Sequence, residues 1–160
     1  LIKHCNDLNM IVDNSHLNEK GFWDIAKYSH HPLVATHSNV HTICPHTRNL
    51  TNRQLDAIKD TQGMVGVNFA PAFLRQDGKM LADTDIQLII DHFKYLIDHL
   101  GEDHVGFGSD FDGAMMPKEL NSVTEMPKII ELMQNQGFDH SLLNKICHQN
   151  WINLIKKILI

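Results

Sequence analysis

The sequence predicts an α/β fold with four parallel strands and their helices, the C-terminal half of a (β/α)8 barrel of the TIM type. Three observations carry this expectation. Four short apolar runs, at Met10 to Val12, Leu33 to Ala35, Met64 to Phe69 and His104 to Gly108, are each followed by a helical pattern, and parallel strands need such crossovers. His16, His37 and Asp110 stand just past three of these runs, where barrels carry their reactive groups. No glycine-rich phosphate turn follows the first run, so an open doubly wound sheet lacks its usual sign. A whole barrel takes roughly 250 residues and eight strands. The chain has 160, so residues 1–160 are expected to form one partial domain.

In chain order, Leu1 to Asn9 fits the end of a helix and precedes the first strand. A helix from about Asn18 to Ser29 follows, with Asn18 as its N-cap,. The second strand breaks at Thr36-His37-Ser38 into a long polar loop that ends in Arg48-Asn49. Thr51 or Asn52 caps a third helix, which Gly63 stops,. A loop is expected from Pro71 to Asp83, then a helix over Thr84 to Leu100 whose apolar stripe includes Ile86, Ile89, Ile90, Phe93, Leu96 and Ile97,. After the last strand come a loop through Pro117, a helix around Glu125 to Gln136, and a helical tail from Ser141 to Ile160.

Composition narrows the function. At 42% hydrophobic and 21% charged the chain can bury a sizeable core,. A formal charge of −5 and a pI near 6.2 supply no basic face, so nucleic acid is not an expected partner,. Three cysteines, Cys5, Cys44 and Cys147, are odd in number and widely spaced, which argues against a disulfide framework. They fit free thiols of a reducing compartment, and the expected location is cytoplasmic. No run approaches the roughly 18 apolar residues of a membrane span. The chain begins with Leu1, from which an N-terminal portion is expected to lie outside it.

Twelve histidines are the outlier. Neutral imidazoles bind zinc and similar ions, and two from neighbouring strand ends can converge on one metal. A carboxylate at a third strand end can take a proton from water that the metal acidifies. Hydrolysis is the chemistry this constellation suits. Seven of the other histidines have plainer readings: His30 and His31 as solvated, His41 and His46 as structural or pocket-lining, and His92, His99 and His104 as surface residues.

Five segments in order, Asp13-Asn14-Ser15-His16, Pro32 to Ser38, His46 to Leu50, Gly63 to Phe69 and Gly108 to Gly113, resemble successive motifs of the renal, or membrane, dipeptidase family. That resemblance implies an amidohydrolase-like barrel with a binuclear zinc centre that hydrolyses dipeptides. It implies that His16 and His37 ligate the same zinc, that Arg48 holds the substrate's terminal carboxylate, and that Asp110 moves the proton. Asp112 is a secondary candidate that orients the loop, and Asn68 resembles a residue lining the substrate pocket. A planar guanidinium suits the Arg48 role because it grips two carboxylate oxygens at once.

The sequence also departs from the family's pattern. The His-x-Asp pair and the bridging carboxylate of the family belong to its N-terminal half, and no His-x-Asp pair occurs here. Asn14 replaces an apolar residue, and Thr36 stands where serine is common. The expected protein is therefore a fragment of a metallo-dipeptidase whose barrel is completed by an N-terminal half or by a second copy of the chain. The alternatives are an inactive remnant or binding protein, and another amidohydrolase-type hydrolase that has no need of Arg48.

Overall fold

Local sequence signals set most of the helices. In the computed structural model, which describes residues 1–159, α1 (Ile2–Asp7) leads to α2 (Glu19–Tyr28), where the Asn18 side chain accepts from Gly21 N at 2.8 Å. Helix α3 (Asn52–Asp60) opens on a reciprocal capping box between Thr51 and Gln54,. Helix α5 (Gln87–Leu100) buries Ile89, Ile90, Phe93 and Leu96. It starts three residues later than expected, because Asp85 Oδ1 accepts from Gln87 N at 2.8 Å and Thr84 Oγ1 donates to Leu81 O at 2.6 Å. Those local bonds hold the preceding turn outside the helix. The expected loop after Phe69 contains one helical turn, α4 (Pro71–Leu74), with proline in its first turn,.

Three strands, β1 (Val34–Ala35), β2 (Met64–Val67) and β3 (Val105–Phe107), form a parallel sheet in that order. Four strands were expected. The Met10 to Val12 segment is not a strand, and its contribution shrinks to one parallel bridge, Asp13 with Val34. The reason lies in the approach: Asn9 turns the chain at a φ of 53° after α1, and the backbone meets the edge of β1 only at Asp13.

The strands alternate between two apolar layers. Ala35, Val65, Val67 and Val105 join the main core with residues of α2, α3 and α5, together with Ile129 and Met133 of α6 (Met126–Asn135). Val34 and Met64 belong instead to a small second cluster with Leu154 and Ile158. The C-terminal tail reaches both layers because it is not one regular helix. It runs as α7 (His140–Asn144), a π-helical stretch (Lys145–Gln149) and α8 (Asn150–Leu159), while Ile160 lies outside the described residues. Leu143 and Ile146 pack in the main core, whereas Leu154 and Ile158 pack in the second cluster. The wider π turn is where the tail passes from one layer to the other.

His92 corrects a sequence expectation. It is fully buried rather than on the surface, and its ring ties three elements together: Nδ1 accepts from Val40 N and Nε2 donates to Leu74 O, both at 3.2 Å. Burial pushes its pKa down to about 4, so the ring is neutral at ordinary pH,.

Candidate active site

Every residue expected to carry chemistry sits past the carboxyl end of a strand. His37 follows β1, Asn68 follows β2, Asp110 follows β3, and His16 follows the Asp13 bridge. Backbone close approach fixes this rim. A Cβ on Gly66 would stand 2.0 Å from Thr36 O and one on Gly108 would stand 2.1 Å from it, so that carbonyl fits only between two glycines.

The two imidazoles converge. His16 Nε2 and His37 Nε2 lie 2.8 Å apart, and their ring centroids are 4.9 Å apart. Two nitrogens on a tetrahedral zinc stand about 3.3 Å apart, given bonds of about 2.0 to 2.1 Å, so an opening of about half an ångström would admit the ion. The pair is chemically suited to it. Burial lowers the pKa of His37, and the nearby Arg48 and His16 charges add to this, outweighing the opposite pull of Asp110 and Asp13. A neutral imidazole with a free nitrogen is the metal-binding form. Among the described residues, no group of three or more His, Cys, Asp or Glu side chains is placed to hold a metal ion. The two histidines thus fit part of a centre.

Arg48 reaches into the same space. Its Nη2 lies 3.4 Å from His16 Nε2 and 3.5 Å from His37 O, and its guanidinium stacks 5.3 Å from the Phe73 ring centroid. His46, whose ring packs against Phe73, accepts from Arg48 N through Nδ1 at 3.1 Å and so steadies the arginine. The Nη1 group of Arg48 is buried with no hydrogen-bond partner among the described residues. A buried donor left unpaired is costly, and a carboxylate is the natural group to satisfy it.

Asp110 is held from two directions. Its backbone takes a left-handed φ of 62°, with Asp112 at 64°, a conformation that costs energy in most residues and is least strained for Asn, Asp and Gly. Asn68 is fully buried and donates Nδ2 to Asp110 Oδ2 at 3.0 Å. Asn68 was expected to line a substrate pocket; the contact its side chain makes is with the Asp110 carboxylate. Asn68 is itself fixed by Asn39, whose Oδ1 accepts from Asn68 N and whose Nδ2 donates to Asn68 O, each at 2.9 Å. Asp112, in contrast, is exposed.

Sequence reasoning missed the brace beneath His37. Asp13 Oδ1 accepts from Ser15 N, Ser15 Oγ and Thr36 N, and Asp13 Oδ2 accepts from Thr36 Oγ1 at 2.5 Å. Desolvation raises the Asp13 pKa, but the hydrogen bonds from Thr36 and Ser15 outweigh it and hold the carboxyl below its ordinary value. The one available signal was an acid three residues ahead of a strand-end histidine.

Comparison with known proteins follows the same lines. The family profile for membrane dipeptidase (peptidase family M19) matches residues 1–159. An uncharacterised protein in the pqqA 5′ region of Klebsiella pneumoniae is 50% identical over 158 residues, covering 99% of this chain and 58% of that protein. A metallo peptidase from Rhodobacter sphaeroides, solved with a phosphinate mimic of the dipeptide L-Ala-D-Ala, superposes with a TM-score of 0.96 at 50% identity, covering 98% of this chain and 45% of that one. A second solved metallo peptidase, the dipeptidase AC, gives a TM-score of 0.97 at 50% identity over 99% of this chain and 45% of its own. The chain therefore spans about half the length of these relatives, and its sheet and helices are those of the C-terminal part of their barrel fold.

Proposed function

Because the chain belongs to the membrane dipeptidase family, peptidase family M19, we propose that the rim of β1 to β3 is the C-terminal part of a metallo-dipeptidase centre. The observation that carries this reading is the meeting of two imidazole nitrogens, 2.8 Å apart, beside an arginine with an unpaired buried donor. His16 and His37 would hold one zinc ion, as the donor set suits. The second metal and the remaining ligands would come from an N-terminal half or from a second copy of the chain. Residues 1–160 are thus one partial domain, and three free thiols fit a cytoplasmic setting.

Zinc, when bound, supplies Lewis acidity that polarises the peptide carbonyl and acidifies water. The chain's own residues do the rest. Arg48 binds the terminal carboxylate of the dipeptide through Nη1 and Nη2 and so fixes the register of the scissile bond. Asp110, with Oδ2 held by Asn68, accepts the proton of the attacking water and delivers it to the leaving amine. The left-handed backbone at Asp110 aims that carboxylate, and the Asn68 bond keeps it from swinging away.

Joining residues 1–160 to the N-terminal part of the Rhodobacter sphaeroides metallo peptidase tests the assignment. The chimera is expected to hydrolyse L-Ala-D-Ala with zinc present. Asp110→Asn preserves the turn and removes the base, so kcat should fall by about 10² to 10⁴ with KM little changed. Arg48→Ala should instead raise KM. A folded chimera that binds zinc and leaves every dipeptide intact rejects the reading, and activity insensitive to Arg48→Ala favours another amidohydrolase-type hydrolase.

A further inference from the structure

The two histidines of the rim are not equivalent, and the difference can be read by counting protons. Ser15 Oγ has one proton, which goes to Asp13 Oδ1 at 2.7 Å. Thr36 Oγ1 has one proton, which goes to Asp13 Oδ2 at 2.5 Å. His37 Nδ1 lies 2.7 Å from the same Thr36 Oγ1. With the hydroxyl proton already directed at Asp13, the oxygen can only accept from the ring, so Nδ1 carries the hydrogen and Nε2 carries the lone pair. The backbone of His37 is held at the same point, because its N–H donates to Ser15 Oγ at 2.9 Å. With that lone pair facing it, His16 Nε2 is the donor of the 2.8 Å bond, Arg48 Nη2 at 3.4 Å is a contact only, and no comparable bond braces the Nδ1 of His16 among the described residues.

We propose that Asp13, acting through the Thr36 hydroxyl, sets the tautomer of His37 before any metal arrives, so that His37 presents a preformed ligand and His16 adapts to it. Asp13 and Thr36 are positioning residues, since neither touches the reacting atoms. Partners that orient a ligating imidazole typically change metal affinity 10- to 100-fold when removed. The inference deepens the metal-centre reading and rests on it for its consequence, but its physical content exists without metal.

Long-range proton–nitrogen correlation spectra of the metal-free chain, labelled with ¹⁵N in histidine, test it at neutral pH. His37 is expected to show a hydrogen on Nδ1 and an unprotonated Nε2. Thr36→Val, which keeps the shape and removes the hydroxyl, should move His37 towards the Nε2–H form and weaken zinc binding about tenfold. Thr36→Ser should restore both, which separates the hydroxyl's role from any general disturbance of packing by valine. A wild-type His37 protonated on Nε2, or a tautomer unchanged in Thr36→Val, overturns the proposal. If the tautomer is fixed as expected and zinc does not bind His37 at all, the brace stands and the metal-centre reading is the one that fails.

Discussion

The carboxyl ends of the three strands and the tail beneath them are filled by opposite kinds of side chain. At the carboxyl rim His16, His37, Arg48, Asn68 and Asp110 are polar and interlocked, and two acids sit in left-handed backbone. Below it Val34 and Met64 pack against Leu154 and Ile158 of α8. Two side chains of that tail turn inward onto β3 and the turn before it: Asn150 Nδ2 donates to Glu102 O at 2.7 Å and Val105 O at 2.8 Å, and Trp151 Nε1 donates to Phe107 O at 3.0 Å. Among the described residues the rim leaves one buried donor, Arg48 Nη1, unpaired, whereas the tail uses its donors on the carbonyls of β3 and of the turn before it. The contrast separates side chains that hold the sheet together from the polar cluster at its carboxyl ends, the end at which barrels generally carry their sites.

That contrast can be broken by mutation. The largest effect on stability is expected from Trp151→Ala, which removes a large side chain from the second cluster together with its bond to Phe107. Denaturant unfolding should show a loss of about 3 kcal/mol, with the histidine tautomers unchanged. If the rim spectra change too, the two regions are not independent.

A similar magnitude is expected from pH, acting through His92. Its folded pKa of about 4 lies below the ordinary histidine value of 6.5, so the unfolded chain takes up the proton first. Stability is therefore unaffected by this group above about pH 6.5 and falls as pH drops through the window down to about 4, by about 3 kcal/mol at the limit. His92→Gln should flatten that part of the profile in urea titrations at several pH values.

Gly66→Ala tests the opposite direction. A methyl group there meets Thr36 O at 2.0 Å, and the expected loss is about 1 to 3 kcal/mol. Unlike Trp151→Ala, it should also disturb the His37 spectrum, since the carbonyl and the hydroxyl belong to one residue. The smallest effect belongs to Lys145, which pairs with Glu102 and Asp103 on the surface. Lys145→Gln should leave the unfolding midpoint within error.

Much of this was legible in the sequence where the signal is local. Asn18 and Thr51 announced their helices because a cap bonds within one turn. The strand ends announced the rim because apolar runs stop where the histidines and Asp110 begin. His92 was misread although the pattern contained the answer: it lies three residues after Ile89 and four before Leu96, on the buried face of α5,. The first strand failed for a different reason, since an edge segment pairs only where a distant neighbour lets it. The Asp13–Thr36 contact was equally illegible, because it spans 23 positions and depends on how the segment after α1 meets the end of β1.

The carbonyl of Thr36 wedged between Gly66 and Gly108 has a mechanical meaning. β1 and β3 are not neighbours in the sheet, yet their ends touch through this one oxygen, so it acts as a spacer that gauges how tightly the sheet curls. The spacer and the handle on His37 are the same residue. A shift in the spacing of these two strand ends would therefore be passed to the His37 ring through the same residue, which links the curl of the sheet to the angle of one imidazole.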